Sequence, residues 1–152
     1  MNTSAPAPLI LVADDEASIR LLVRVNLEAE GFRVIEAGDG HATVEAARTE
    51  RPDVLLLDVM MPGLDGWQVA EELLGDPEVA DTPIIFLTAR ADLRDHERGL
   101  SAGALHYITK PFNPRALAPA IQECLDGARA GRSAELREER LRVVRELQQR
   151  PE

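Results

Sequence analysis

Five short apolar runs punctuate the chain: Leu9–Ala13, Arg33–Ala37, Val54–Leu57, Ile84–Leu87 and Leu105–Ile108. Each is four or five residues long and rich in β-branched or aliphatic side chains. Such runs predict strands, and continuous ones predict strands buried on both faces of a parallel sheet. Helical spacing fills the gaps between them. Ile19, Leu22, Val23, Asn26 and Leu27 trace one stripe, ended by Gly31. Asp39 caps a second predicted helix through Thr43, Val44 and Ala47, after the turn Ala37-Gly38-Asp39-Gly40. Trp67–Leu74 makes a third, closed by Gly75, and Leu93–Ser101 a fourth, closed by Gly103. The fifth opens at Asn113-Pro114, a capping residue followed by Pro at the first helical position. Its apolar set, Leu117, Ala120, Ile121, Cys124 and Leu125, falls on one face. Strand and helix alternating five times predict an α/β fold with a doubly wound parallel sheet. In such sheets ligands bind beyond the carboxyl ends of the strands.

Composition narrows the function classes. The formal net charge of −10 argues against nucleic-acid binding by the body of the protein, because phosphate backbones require a basic footprint. The single cysteine, Cys124, excludes an intramolecular disulfide and suits a reducing compartment; its place on the apolar face makes it a core residue. No apolar stretch approaches a membrane span, and residues 1–7 read as a flexible lead without the regions of a signal peptide. The expectation is a cytoplasmic protein with no membrane partner.

The residues just past each predicted strand carry the chemistry. Asp14, Asp15 and Glu16 follow the first, Asp58 the third, Thr88 and Ala89 the fourth, Lys110 and Pro111 the fifth. Lys110 is the only lysine, against sixteen arginines. Lys is a compact point charge where Arg is a broad planar fork. If the first, third, fourth and fifth strands are neighbours, these groups meet at one sheet edge. Clustered carboxylates repel unless a cation intervenes. An all-oxygen set with room for water and phosphate suits Mg²⁺, with Mn²⁺ a possible substitute. A carboxylate beside such a cation can attack phosphorus. The loop Asp58-Val59-Met60-Met61-Pro62-Gly63-Leu64-Asp65-Gly66 is dense in turn residues and would leave Asp58 at an open rim.

This conjunction resembles the receiver domain of bacterial two-component response regulators, over roughly residues 8–126. The resemblance implies a flavodoxin-like (βα)5 sheet in the order 2-1-3-4-5. It implies that Asp58 is the phosphoacceptor. Asp15, Asp58 and the backbone carbonyl of Met60 would hold Mg²⁺, with Asp14 acting through water. Lys110 would contact the phosphoryl group, and its bond to Pro111 would be cis. Thr88 would be the switch hydroxyl and Tyr107 the switch aromatic, turning inward when Thr88 moves. Met60 and Arg90 would set the lifetime of the phosphoryl group. A histidine kinase or phosphotransfer protein would be the donor, and the output would be a remodelled surface of helix four, strand five and helix five.

The receiver is assigned residues 8–127, and residues 128–152 form a charged extension with seven Arg and five Glu, net +2. Glu138 with Arg142, and Glu146 with Arg150, stand four apart in the favourable order. Leu136, Leu141, Val143, Val144 and Leu147 give a thin apolar stripe. The extension is open between a continuation of helix five, a separate helix and a solvated tail. It could pair with a second copy, as could the surface of helix four, strand five and helix five. It is too short for a helix-turn-helix, so output by protein contact rather than a DNA-binding domain is expected. His41, His96 and His106 share no metal spacing, and His41 and His96 are expected to face solvent. The protein is not expected to be an enzyme beyond its own phosphorylation and dephosphorylation. Two other classes compete: a haloacid-dehalogenase-type phosphatase, which needs a second Asp where this chain has Met60, and an adaptor that never accepts phosphate.

Overall fold

The computed structural model describes residues 6–90 and 92–149. Most of the predicted lead (residues 1–5) and the last three residues of the extension lie outside that range. Five strands, β1 (Leu9–Ala13), β2 (Arg33–Ala37), β3 (Val54–Leu57), β4 (Ile84–Thr88) and β5 (His106–Thr109), pair in parallel in the order β2-β1-β3-β4-β5. Chain order reverses direction at β1, which has β2 on one side and β3 on the other. The crevice beyond β1 and β3 is therefore the switch point where such sheets bind ligands.

The central strands β1, β3 and β4 are almost wholly apolar because both their faces are covered, whereas the edge strands β2 and β5 carry Arg33, Glu36, His106 and Thr109. Successive side chains point to opposite sides. Leu11, Leu55, Leu57, Ile84 and Phe86 pack with Val44 of α2 (Gly40–Glu50) and with Val69 and Leu73 of α3 (Gly66–Leu74). Ile10, Val12, Leu56, Ile85 and Leu87 pack with Val23 and Leu27 of α1 (Ala17–Ala29) and with Ile121 and Cys124 of α5 (Leu117–Arg129). Each fully buried Leu or Ile contributes about 1.5–3 kcal/mol by leaving water. Cys124 lies wholly within this second layer, and burial pushes its thiol up to about 11, as a core residue requires.

Turn chemistry sets the helix boundaries. Asp39 accepts a hydrogen bond from the Ala42 amide and caps α2, as expected. Asp65 and Gln68 form a reciprocal capping box at α3. The expected helix four is α4 (Leu93–Ser101), capped by Asp92. Three expectations need correction. Asn113-Pro114 opens a 3-10 turn, Pro114–Ala116, closed by the bond from Ala116 N to Asn113 O, and α5 starts only at Leu117. Leu22 lies on the outer side of α1, 40% exposed beside Leu21 and Val25, so the buried stripe narrows to Val23 and Leu27. His96 does not face solvent: its ring lies 4.1 Å from the Tyr107 ring and its Nε2 is 3.1 Å from Thr109 Oγ1.

Over the described residues, up to Gln149, the extension forms a separate helix and does not continue α5. Helix α5 runs past the expected boundary at residue 127 and ends at Arg129. Gly131, at φ +74, reverses the chain, and α6 (Ser133–Gln149) folds back. The two helices pack at Gly127, where a Cβ would lie 2.2 Å from Leu136 Cδ1 and so collide. Leu141 and Val144 of α6 bury against Leu100 of α4, with Leu93 alongside. Arg145 of α6 pairs with Glu97 of α4 at 3.0 Å, and Arg140 pairs with Glu123 of α5. Val143 and Leu147, from the same expected stripe, remain on the outside.

Two consequences are measurable. Leu56→Ala should lower the free energy of unfolding by about 2–5 kcal/mol, whereas Leu21→Ala, at an exposed site, should change it by no more than about 0.5 kcal/mol, read from urea denaturation. His106, desolvated by burial and close to the Arg140 guanidinium, is pushed down to about 4. The unfolded chain then binds a proton that the folded chain refuses, so stability falls as pH drops from roughly 6.5 towards 4. His106→Gln should flatten that part of the stability–pH curve, by up to about 3 kcal/mol at its acid end.

Candidate functional site

The site is built where four strands end. Asp14 directly follows β1, and its amide donates to the Ala37 carbonyl at the end of β2. Arg20 of α1 donates to the Asp14 carbonyl at 2.7 Å and to Glu36 Oε1 at 2.9 Å, pinning the start of the acidic turn to β2. The Asp58 amide continues the ladder by donating to the Ala13 carbonyl at 2.9 Å. Beyond it the chain must turn at once, and Gly66 makes that possible. A Cβ on Gly66 would lie 2.4 Å from the Asp58 carbonyl oxygen and 2.7 Å from Val59 Cα. Lys110 follows β5, its amide donating to the Thr88 carbonyl at 2.8 Å, and the Lys110–Pro111 peptide is cis.

These addresses bring Asp14, Asp58 and Lys110 together. The Lys110 ammonium donates to Asp14 Oδ2 at 2.6 Å and to Asp58 Oδ2 at 3.1 Å, and lies 3.8 Å from Glu16 Oε1. The other oxygens accept from the backbone: Asp14 Oδ1 from the Glu16 amide and Asp58 Oδ1 from the Met60 amide. Asp14 and Asp58 are almost wholly buried at 2% and 4% exposure, while Asp15, Glu16 and Met60 line the open side of the cleft. Thr88 is buried at the end of β4 beside this group, its Oγ1 3.4 Å from the Arg90 amide that donates to it. Arg90 itself turns outward and pairs with Asp95 at 3.3 Å.

One ammonium serves two buried carboxylates, so one negative charge is left over. Burial raises the Asp14 carboxyl above the usual range, and the Asp58 charge adds to the shift, although the Lys110 and Glu16 hydrogen bonds oppose it. Burial alone would lower Lys110, but its hydrogen bond to Asp14 and the two carboxylate charges prevail and hold the ammonium above its ordinary value. Oxygen atoms of Asp14, Asp15 and Glu16 lie within 4.8 Å of one another. An all-oxygen, net-negative cleft with an open side fits a hard divalent cation. Glu16 is the site residue to which the sequence reading assigned no role; its position directly after the acid pair was the available signal.

Tyr107 differs from expectation. Its ring is already inward, packed on Phe86 at a centroid distance of 5.8 Å, and its hydroxyl donates to the Arg90 carbonyl at 2.7 Å. The narrow space it fills exists because α4 carries glycine at position 99, where a Cβ would come within 2.9 Å of the Tyr107 ring. On the far side Phe86 meets Trp67 at 4.9 Å, and Arg98 of α4 covers the Trp67 ring at 4.5 Å.

Fold and site together define an α/β domain of the doubly wound type with a net-acidic cleft, bridged by one ammonium, at the carboxyl edge of its sheet. Residues 10–122 match the response regulator receiver domain, and the chain belongs to that family. It is 44% identical over 116 residues to the alkaline phosphatase synthesis transcriptional regulatory protein PhoP of Bacillus subtilis, covering 76% of this chain and 48% of that one. It is 43% identical over 116 residues to a probable transcriptional regulator, ycf27, of Guillardia theta, covering 76% of this chain and 44% of that one. The chain thus spans about half the length of the curated relatives it matches. Among solved structures, the chemotaxis response regulator CheY4 of Vibrio cholerae superposes with a TM-score of 0.72 at 32% identity, covering 77% of this chain and 98% of that one. No helix among the described residues is long and apolar enough to cross a membrane.

The excess negative charge has a measurable cost. In chelator-treated buffer at neutral pH, Asp14→Asn should raise the melting temperature, because burial penalises the ionised carboxylate more in the fold than in the unfolded chain, and Asn removes that charge. The advantage should shrink as pH falls towards the ordinary carboxylate range of about 4, because protonation of the wild-type carboxyl relieves the same penalty. Thermal scans at the two pH values check both statements.

Proposed function

We propose that Asp58 accepts a phosphoryl group from a phosphohistidine of a histidine kinase or phosphotransfer protein. The observation that carries this reading is the single ammonium of Lys110 bridging Asp14 and Asp58 at 2.6 and 3.1 Å, beside an open acidic rim. An Asp58 carboxylate oxygen attacks phosphorus, the new O–P bond replaces the donor's P–N bond, and the imidazole leaves with the bonding pair. Asp58 Oδ1 stays oriented by the Met60 amide while Oδ2 faces Lys110. When bound by Asp15, Asp58 and the Met60 carbonyl, with Asp14 acting through water, Mg²⁺ would supply the charge that neutralises carboxylate and phosphoryl oxygens. Lys110 then shifts its hydrogen bond from the Asp58 carboxylate to a phosphoryl oxygen.

The added group carries nearly two negative charges and three acceptor oxygens. Thr88 is the nearest hydroxyl in the neighbouring strand, and we assign it the role of turning towards them. The turn of Thr88 clears space on the inward side of β5 and so favours the rotamer that Tyr107, bonded to the Arg90 carbonyl, already occupies. Met60, 57% exposed on the rim, and Arg90 govern how readily water reaches the acyl phosphate and so its lifetime. The receiver comprises β1 to α5, with α6 an attached element, and the setting is the cytoplasm. No external substrate is turned over, and the output of these residues is a protein contact rather than nucleic-acid binding, in keeping with the net charge of −10. A homodimer through α4, β5 and α5 would require α6 to leave that surface.

The test uses Mg²⁺ and a small acyl phosphate, followed by intact mass. Wild type should gain one phosphoryl group and Asp58→Asn none, and chelation of Mg²⁺ should abolish the gain. Absence of labelling in wild type, where a known receiver labels, would overturn the reading; turnover of phosphomonoesters would favour the phosphatase class. Lys110→Arg should still label but lose the structural response, because a planar fork cannot occupy the position of a compact ammonium.

A further inference from the structure

We infer that α6 is the resident occupant of the surface formed by α4, β5 and α5, and that phosphorylation of Asp58 tightens its seat through Tyr107 and α4. The inference rests on the assignment of Asp58 as phosphoacceptor. It begins with adjacent residues of α4 that meet different neighbours. His96 meets Tyr107 and Thr109, while the next residue, Glu97, meets Arg145 and Gln148 of α6 at 3.0 and 3.4 Å. Gly99 lies against Tyr107 and Phe86, while the next residue, Leu100, lies in the cluster with Leu141 and Val144 of α6. A small shift of α4 relative to Tyr107 is thus also a shift of the seat of α6.

The connection to the site is continuous. Thr88 Oγ1 accepts from the Arg90 amide, the Arg90 carbonyl accepts from the Tyr107 hydroxyl, and the Tyr107 ring touches α4. Charge and length identify the occupant. Residues 128–152 carry a net +2 against −12 on the rest of the chain, and their arginines Arg140 and Arg145 pair with Glu123 and Glu97. The seat is nonetheless light: three α6 side chains, Leu136, Leu141 and Val144, are buried for a helix of 17 residues. An element so thinly anchored opens at the low end of the stability range and responds to small changes in its support.

The direction follows from Tyr107. The docked α6 coexists with an inward Tyr107, whose ring fills the space in front of Gly99. An outward swing would drive the ring into the position of His96 and push α4 away from β5, loosening Glu97 and Leu100. A phosphoryl group that draws Thr88 to itself favours the inward ring, and therefore the docked helix.

Tryptic cleavage within α6 reads this directly, since Arg137 and Arg142 supply sites on a helix that must open to be cut. The probe is the full chain with Mg²⁺ and a small acyl phosphate, the extent of labelling being measured by intact mass in the same samples. Labelled wild type should be cut within α6 about 5-fold or more slowly than unlabelled. Leu141→Asp with Val144→Asp should be cut rapidly in both states while still labelling, which ties the readout to docking. Gly99→Ala, which forces Tyr107 and α4 apart, should reduce the difference between states. Equal or faster cleavage of a labelled wild type would overturn the inference. Failure to label would instead overturn the assignment of Asp58, so the two failures are distinguishable.

Discussion

The Lys110 ammonium is the interaction on which the rest of the site depends. Its two hydrogen bonds join residues separated by 96 and 52 positions in the chain and tie the ends of β1, β3 and β5 into one cleft. Removing it would leave two carboxylates, each almost wholly buried, without a counter-charge, a state that costs far more than an exposed pair. The same bridge leaves the cleft one positive charge short. Stability and reactivity are in this way set against each other: the fold tolerates an uncompensated carboxylate in a cleft that, on the function proposed above, takes a cation and a phosphoryl group.

The geometry that permits the bridge is made by positions with little chemistry of their own. Gly66 lets α3 start against the Asp58 carbonyl, where any side chain would collide. Arg20 holds the Asp14 carbonyl from α1 while paired with Glu36 on β2. A parallel sheet delivers residues to its carboxyl edge, but these secondary contacts determine whether carboxylates delivered there are aimed at one another.

Much of this was legible from the chain alone, because the informative residues sit at the ends of strands. Strand runs are short and strongly apolar, so their ends are marked, and Asp14, Asp58, Thr88 and Lys110 could be placed at one edge once the alternation was seen. The strand order itself came from the resemblance to receiver domains, since periodicity does not say which strands are neighbours. What stayed hidden was tertiary. His96 looks like any polar residue on a charged helix, and only the ring of Tyr107 and the hydroxyl of Thr109 turn it inward. In the extension the apolar stripe was visible, but not which half of it would be covered. That Leu141 and Val144 are buried while Val143 and Leu147 are not depends on the path taken at Gly131, which sequence spacing does not encode.

The aromatic residues have a consequence of a different kind. Trp67 is the only tryptophan, and it stands at one end of a row that passes through Phe86 and Tyr107 to His96, with the Arg98 guanidinium over its face. Its indole therefore touches α4 through Arg98 and is linked to Tyr107 of β5 through Phe86. The chain carries its own optical gauge: emission from one indole, with no second emitter of its kind to subtract, follows the spacing between α3 and α4 in the native protein without any attached dye.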